Sequence, residues 1–109
     1  MVSDYDFRAK KDAPRYLTVR DVAIFADVKQ RVAGQYLTDA RAHYRRGTVK
    51  PSDIPLPDAL AGFKRQTPLW RYDTIREWLA RRQYARVCLP VSEAEGMELL
   101  RELSEDAKD

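Results

Sequence analysis

Apolar residues recur at helical spacing near the start of the chain. Val19, Val22, Ala23 and Ala26 follow one another three, one and three residues apart, which is typical of one side of an α-helix. Thr18 precedes them, and Asp21 stands three residues after Thr18, a pair that resembles a capping box at a helix N-terminus. This pattern predicts a first helix of about two turns that begins after Thr18.

A second apolar stripe begins after Asp27 and Val28 interrupt the first. At about 100° per residue its members fall on one narrow side of a helix that runs from Lys29 to about Arg45. These members are Ala33, Tyr36, Leu37, Ala40 and Tyr44. The opposite side of the same helix carries side chains that can donate hydrogen bonds to phosphates or base edges, namely Arg31, Gln35, Thr38, Arg45 and Arg46.

The next segment combines helix breakers with two short strand-like runs. Residues Gly47 to Pro57 include one glycine and three prolines, so they predict a loop. Ala59 to Phe63 and Pro68 to Arg71 predict two strands that flank a basic polar tip, Lys64 to Thr67. Together they indicate a small hairpin, which we call the wing.

A third helix is predicted after the wing, with Asp73 as its N-cap. Ile75, Trp78 and Leu79 are spaced to close the core, and the basic residues Arg76, Arg81 and Arg82 are expected elsewhere on the helix surface. The aromatic and aliphatic residues at core spacings are expected to be structural rather than to stack on bases: Phe25, Tyr36, Leu37, Trp70 and Trp78.

The C-terminal part of the chain predicts one further strand and one further helix. Tyr84 to Val91 has an extended pattern, with Val87, Leu89 and Val91 on one face, Cys88 as a small apolar residue, and Pro90 at its edge. Ser92 and Glu95 form an S-x-x-E box ahead of a final helix whose apolar side comprises Met97, Leu99, Leu100 and Leu103. The expected organisation is a flexible arm over 1–15, a winged domain over 16–83 and a C-terminal strand and acidic helix over 84–109.

Composition supports a folded chain with one domain. At 109 residues and 44% hydrophobic residues the chain is long and apolar enough to bury a core. Its apolar runs are too short for a membrane span or a signal peptide, so we expect a cytoplasmic protein, associated with the nucleoid when bound to DNA. The single Cys88 and single His43 exclude an internal disulfide and a four-ligand structural zinc site.

The formal net charge of +3 divides unevenly between the two ends of the chain. Residues 92–109 contain seven acidic and two basic side chains, whereas residues 1–91 contain 18 basic and 10 acidic ones. A basic body with an acidic tail suits a polyanionic partner.

Features that would indicate catalysis or a cofactor are missing from the sequence. No glycine-rich phosphate loop or paired acid and base carboxylates occur, and His43 has no recognisable nucleophile beside it. We therefore expect a protein that is not an enzyme, with no metal and no cofactor, and in which His43 is a surface or half-buried helix residue.

Two short helices joined by a tight turn, the second with an exposed basic and amide-bearing face, are typical of a helix-turn-helix DNA reader. The segment Y-L-T-V-R-D-V-A-I-F-A-D-V-K-Q-R-V-A-G-Q-Y-L, followed by P-L-P and P-L-W-R-Y-D-T-I-R-E-W-L, resembles the MerR/excisionase-type winged helix-turn-helix family. More narrowly, it resembles small DNA-binding proteins of actinobacterial phages and mobile elements. The resemblance covers Arg15 to Arg82 and rests on L-T-x-x-D-V-A and L-W-x-x-x-x-I-x-x-W-L.

The resemblance implies a mainly α fold with a small β hairpin, a winged helix-turn-helix, to which this chain adds its C-terminal strand and helix. It also implies that the second helix reads the major groove and that the wing touches the DNA backbone or minor groove. Transferred by position, the recognition set is Lys29, Gln30, Arg31, Gln35 and Thr38, with Lys64 and Arg65 on the wing. Arg45, Arg46 and Lys50 join the two wing cations as expected phosphate contacts.

Three residues depart from the family pattern. Asp27 stands where such turns usually carry a small residue, and Lys29 replaces the usual Ser or Thr cap. Gly34 lies inside the second helix at a cost of about 1 kcal/mol relative to Ala. Either Gly34 permits close approach of the backbone to DNA or the chain simply tolerates it there.

The sequence leaves three functions open. The first is a sequence-specific architectural protein, like an excisionase or recombination directionality factor, that bends double-stranded DNA through cooperative binding at adjacent sites and acts with an integrase or recombinase. The second is a transcriptional repressor or activator that uses the same surface, and the third is a protein-interaction module that acts through the C-terminal segment. Residues 84–109 are expected either to mediate self-association or partner docking, or to fold back on their own winged domain.

Overall fold

The computed structural model describes residues 9–10, 12–82 and 88–106, and its elements follow one another as helix, helix, hairpin, helix, helix. They are α1 (Val19–Ala26), α2 (Gln30–Arg46), β1 (Ala59–Ala61), β2 (Thr67–Leu69), α3 (Tyr72–Arg81) and α4 (Glu93–Asp106). The protein is therefore mainly α-helical with a small antiparallel β hairpin, which confirms the predicted fold class. No helix within the described ranges is long and apolar enough to cross a bilayer.

Helix α1 begins where the sequence predicts. The Thr18 hydroxyl accepts a hydrogen bond from the Asp21 N–H, and the Asp21 carboxylate accepts one from the Thr18 N–H, so the reciprocal capping box is complete. At the other end Asp27 adopts a left-handed conformation with φ of 58°, and the Val28 N–H bonds the Ala23 carbonyl. Aspartate tolerates this conformation better than most residues, so the turn closes without a glycine.

Both strands of the wing are shorter than the sequence predicts. β1 ends at Ala61, and β2 begins at Thr67, which pairs with Ala61. Gly62 with φ of 86° and Gln66 with φ of 50° take left-handed conformations at the two ends of the tip. Phe63 therefore lies in the tip instead of in the first predicted strand, and Thr67 lies in a strand instead of in the tip.

The wing is fastened to the start of α1 and to α3. Leu17 and Trp70 form an antiparallel bridge in which each N–H donates to the other's carbonyl, at 2.7 and 3.0 Å. The Asp58 carboxylate accepts the Arg71 N–H at 2.8 Å, directly before α3. The prediction that Asp73 caps α3 is wrong, because the helix already begins at Tyr72 with Arg71 as its N-cap residue, and Asp58, the residue before β1, accepts the Arg71 N–H.

One hydrophobic core joins all four helices and the loop between α2 and β1. Trp70, Ile75, Trp78 and Phe25 are almost completely buried in it, and Tyr36 lies partly buried against it, as predicted for core residues. The indole N–H of Trp70 donates to the Pro55 carbonyl, an arrangement that ties this loop to the core.

Helix α4 folds back on its own domain. It packs against α1 and α3, and its apolar side lies partly buried against the core. That side is the predicted set Met97, Leu99, Leu100 and Leu103. Of the two alternatives for the C-terminal segment, the structure therefore shows the second, in which the helix folds back on its own domain. This packing partly buries the apolar side of α4 that suggested self-association.

The segment before α4 differs from the prediction. Residues 88–90 are in the described part of the chain and form no strand, while residues 83–87, including Val87, lie outside it, as does most of the predicted arm. Leu89 is buried, but Val91 is 77% exposed, so the two do not share a buried face. Cys88 is exposed rather than packed as a small apolar residue.

Candidate nucleic-acid interface

Helix α2 is held against α1 through its small apolar side. Ala33, Leu37 and Ala40 are buried on this side, opposite Val22 and Phe25 of α1. Two of the three α2 residues are alanines, whose short side chains let the helices lie close together. Since the buried side is fixed by this packing, the opposite side of α2 faces solvent.

The solvent-facing side of α2 carries the predicted reading residues. Arg31, Gln35, Thr38 and Arg45 fall within about 80° of one another around the helix axis at 100° per residue, and all four are exposed. Over its 17 residues α2 is about 25 Å long, and a helix of this width fits the major groove of B-DNA. We call this side of α2 the reading face.

The start of α2 has no cap from the side chain of its own N-cap residue. Lys29 is the N-cap residue and, as its side-chain type predicts, it makes no side-chain capping bond. The first turn contains no acidic residue, and Lys29, Gln30 and Arg31 are all exposed. A phosphate group would satisfy both the amide N–H groups of this turn and the positive end of the helix dipole.

Asp39 is a member of the reading face that the sequence reasoning missed. The Gln35 side-chain amide donates a hydrogen bond to the Asp39 carboxylate at 2.9 Å, across one helical turn. An amide group has two N–H donors and one carbonyl oxygen, so this bond leaves one donor and the acceptor for an adenine edge. Spacing of i, i+4 between Gln and Asp on a helix is the signal that could have found the pair.

Thr38 bonds its own helix in the free protein. Its hydroxyl donates to the Gly34 carbonyl at 3.2 Å, a common arrangement for threonine in helices. The hydroxyl oxygen keeps acceptor capacity for a base amino group. Gly34 itself has nothing within 4 Å of the position that a Cβ atom would occupy, so no protein contact requires a glycine there.

The wing carries further exposed cations, and its first strand adjoins α2. Lys64 and Arg65 are exposed at its tip, as predicted, and Phe63 beside them has a relative exposure of 103%. Leu60 of β1 lines a groove of about 420 Å³ together with Arg41 and Arg45 of α2. The wing and the C-terminal half of α2 therefore form adjoining surfaces, and Arg41 joins the cations there although the sequence reasoning left it out.

The C-terminal end of α2 is also basic. Arg45 and Arg46 lie exposed in its last turn, and Gly47 closes the helix with φ of 70°. Cations at this end interact favourably with the helix dipole, so these arginines stabilise α2 whether or not they bind phosphate. Lys50, the remaining predicted phosphate contact, is exposed in the loop that follows.

A histidine–aspartate pair braces this loop against α2. His43 Nδ1 lies 2.8 Å from Asp53 Oδ2, and the same oxygen accepts the Lys50 N–H at 2.9 Å. The Lys50 N–H first, and then His43, hold the pKa of Asp53 below its ordinary value of 3.8, against the opposing effect of burial. His43 is half-buried, as predicted, and within the described residues no cluster of His, Cys, Asp and Glu could hold a metal ion.

Arg82 supports α2 from the end of α3. Its guanidinium carbon lies 5.2 Å from the Tyr36 ring centre and 4.8 Å from that of Trp78, within the range of cation–π contacts. Arg82 is therefore half-buried between two aromatic rings. The prediction that it lies on the open surface of the helix is wrong. It is a structural cation and does not belong to the reading face.

An apolar groove that the sequence reasoning missed lies beside the basic surface. Tyr44, Val49 and Leu56 are 63%, 59% and 38% exposed, and they line a groove of about 500 Å³ between the end of α2 and the following loop. Tyr44 belonged to the predicted buried stripe of α2. It is exposed in the last turn of α2, whereas its neighbour His43 is bonded to Asp53 of the loop.

Comparison of the chain with protein-family models, with curated proteins and with solved structures finds no match.

Proposed function

We propose that this protein binds double-stranded DNA sequence-specifically, with the reading face of α2 in the major groove and the wing on the adjacent backbone or minor groove. The observation that carries the proposal is the reading face itself, an exposed side of α2 that includes Arg31 and Gln35, with the first strand of the wing adjoining α2 at Arg41 and Arg45. A side chain of each type has a matching base edge, guanine O6 and N7 for arginine and adenine N6 and N7 for glutamine.

Charge distribution supports the same partner. Residues 1–91 have 18 basic against 10 acidic side chains, while the acidic helix α4 packs against α1 and α3. Positive charge is therefore concentrated in the part of the chain that contains α2 and the wing. Such a distribution attracts the phosphate backbone at long range and orients the protein on it.

We further propose an architectural role for this binding, similar to that of an excisionase or recombination directionality factor. Several copies would occupy adjacent sites, bend the DNA and bias a site-specific recombinase. Support for this role comes from the family resemblance and from the small single domain. Regulation of transcription through the same surface is the alternative, and it differs in the arrangement of sites on DNA and not in the chemistry of one contact.

The proposal is tested by selecting bound duplexes from a random-sequence pool and measuring affinity for the selected site and a scrambled one. Arg31→Ala is expected to lose about 1–3 kcal/mol of discrimination at one base pair. Lys64→Ala is expected to weaken binding to both duplexes equally and to reduce the salt slope by about 0.9. Arg101→Ala is the matched control, because Arg101 is an exposed arginine of α4, on which the proposal places no DNA contact.

Two results would contradict the proposal. If no sequence were enriched and no duplex bound even at low salt, the chain would not be a DNA-binding protein. If Arg31→Ala and Lys64→Ala weakened all sequences alike, α2 would not be the element that reads bases. Footprints on a natural target then separate the two roles, since phased protection of several repeats fits the architectural role and one palindrome over a promoter fits regulation.

A further inference from the structure

Phe63 is the most exposed of the large hydrophobic side chains in the described part of the chain. Its relative exposure of 103% means that the ring is fully in solvent, whereas Leu60 on the same hairpin is 52% exposed. An isolated surface leucine or valine is common, but a phenylalanine ring without any covering contact leaves a large apolar area in water.

The backbone holds this ring at the outermost point of the wing. Ala61 pairs with Thr67 and closes a five-residue tip, 62–66, and left-handed residues stand at both ends of that tip. The base of the wing is fixed by the Leu17–Trp70 bridge and by the bond from the Arg71 N–H to Asp58. The wing is thus a short projection anchored to the core, and the ring lies at its end.

Two cations follow the ring directly in the sequence. Lys64 and Arg65 are both exposed in the same tip, so an apolar ring and two positive charges are presented together. A purely apolar protein pocket would have to desolvate these charges, which is unfavourable. The DNA minor groove offers phosphates on both rims for the cations and stacked bases between them for the ring.

We propose that Phe63 is a wedge that inserts between base pairs from the minor groove and kinks the DNA, while Lys64 and Arg65 hold the flanking phosphates. The proposal rests on the proposed DNA-binding function and adds to it the residue that produces the bend. Pyrimidine–purine steps, which unstack most easily, are the expected insertion points. Sequence preference would therefore extend to a step that the reading face does not contact.

The test uses the full chain and its selected duplex, with the bend measured by energy transfer between dyes at the duplex ends. A 2-aminopurine base at the pyrimidine–purine step under the wing reports unstacking. Phe63→Ala is expected to bind about tenfold more weakly, to lose most of the bend and the 2-aminopurine signal, and to keep the salt slope because no charge changes. Phe63→Leu, which retains an apolar wedge, is expected to keep part of the bend.

Leu60→Ala is the matched control, because Leu60 is an exposed apolar residue of the same hairpin that lies below its tip. It is expected to bend DNA as the unchanged protein does. Thermal melting of all variants checks the fold, which should be insensitive to a side chain with no contacts.

Three results would contradict the proposed insertion of Phe63. A Phe63→Ala protein that bends and unstacks its site normally would exclude the ring from the DNA. A normal bend on a single site with lost cooperativity on adjacent sites would instead place the ring against a neighbouring copy. If the unchanged chain bound no duplex at all, the proposed function would fail and the wedge with it, a result that differs plainly from loss of bending with binding retained.

Discussion

Replacement of Gly96 by alanine tests how closely α4 is fitted to the rest of the domain. In an exposed helix interior the change from glycine to alanine stabilises the fold by about 1 kcal/mol. At Gly96, however, a Cβ atom would overlap the ring and hydroxyl of Tyr72. The sign of the effect therefore depends on whether Tyr72 can move.

Tyr72 is held on several sides. It is 3% exposed, its ring makes an edge contact with Phe25 at 6.1 Å between centres, and its hydroxyl donates to the Pro90 carbonyl. Burial raises the pKa of Tyr72 above its ordinary value of 10.0, so the hydroxyl remains a donor at neutral pH. The new methyl group must either push α4 outward or break this hydrogen bond.

The expected change in the free energy of unfolding has three contributions. Forcing an extra methyl group into a packed contact costs about 1–3 kcal/mol, and the lost hydrogen bond adds about 1 kcal/mol. After subtraction of the helix-propensity gain of about 1 kcal/mol, Gly96→Ala should destabilise the protein by about 1–3 kcal/mol. For a domain of this size each kcal/mol lowers Tm by roughly 4–8 °C.

The assay is urea and thermal unfolding of the full chain, with Gly34→Ala as the matched control. Gly34 is also inside a helix, but nothing lies within 4 Å of its Cβ position, so this variant should be stabilised by about 1 kcal/mol. Combining Gly96→Ala with Tyr72→Leu should recover part of the loss, a coupling that additive effects would not produce. If Gly96→Ala raised Tm as Gly34→Ala does, the described packing of α4 on Tyr72 would be wrong.

Three further predictions concern other contacts. Gly34→Ala should weaken DNA binding at least tenfold in a titration if the backbone approaches DNA closely there, and unchanged affinity would mean that the glycine is merely tolerated. Asp58→Ala should lower the free energy of unfolding by about 1 kcal/mol because the Arg71 N–H loses its acceptor, whereas Asp73→Ala should lower it by less. Equal losses for the two variants in urea unfolding would mean that Asp73 stabilises the start of α3 as much as Asp58 does. Because the pKa of Asp53 is lowered in the folded state, its carboxylate stabilises the protein above pH 3.8, and this contribution disappears as the pH falls through the lower folded pKa. Asp53→Asn should flatten that part of the plot of stability against pH. An unchanged plot would contradict the stabilising role of Asp53.

Local signals account for the parts of the fold that the sequence predicts well. The start of α1 depends on Thr18 and Asp21, three residues apart, and the stripe of α2 depends on its own periodicity. Both can be seen without knowledge of the rest of the chain. The predicted reading residues are exposed for the same reason, since they lie opposite the apolar stripe.

Contacts between distant residues account for the parts that the sequence predicts poorly. The residue that accepts the N–H of Arg71 at the start of α3 is Asp58, 13 residues away, whereas the local pattern points to Asp73. Arg82 fits the pattern of a surface cation because one of its two aromatic partners, Tyr36, lies 46 residues away on α2. Phe63 fits a strand pattern, yet the left-handed conformations at Gly62 and Gln66 place it in the turn.

Residue-resolved NMR of the full 15N-labelled chain, titrated with its selected duplex, shows which surface of the protein contacts DNA. If α2 and the wing bind DNA as proposed, amide signals at the start of α2, along its reading face and at the wing tip 62–66 will shift together and saturate at one DNA concentration. Signals of α4 should remain nearly unchanged. Shifts concentrated on α4 or around the groove of Tyr44 and Val49, with α2 and the wing unaffected, would contradict the proposal that this surface reads DNA.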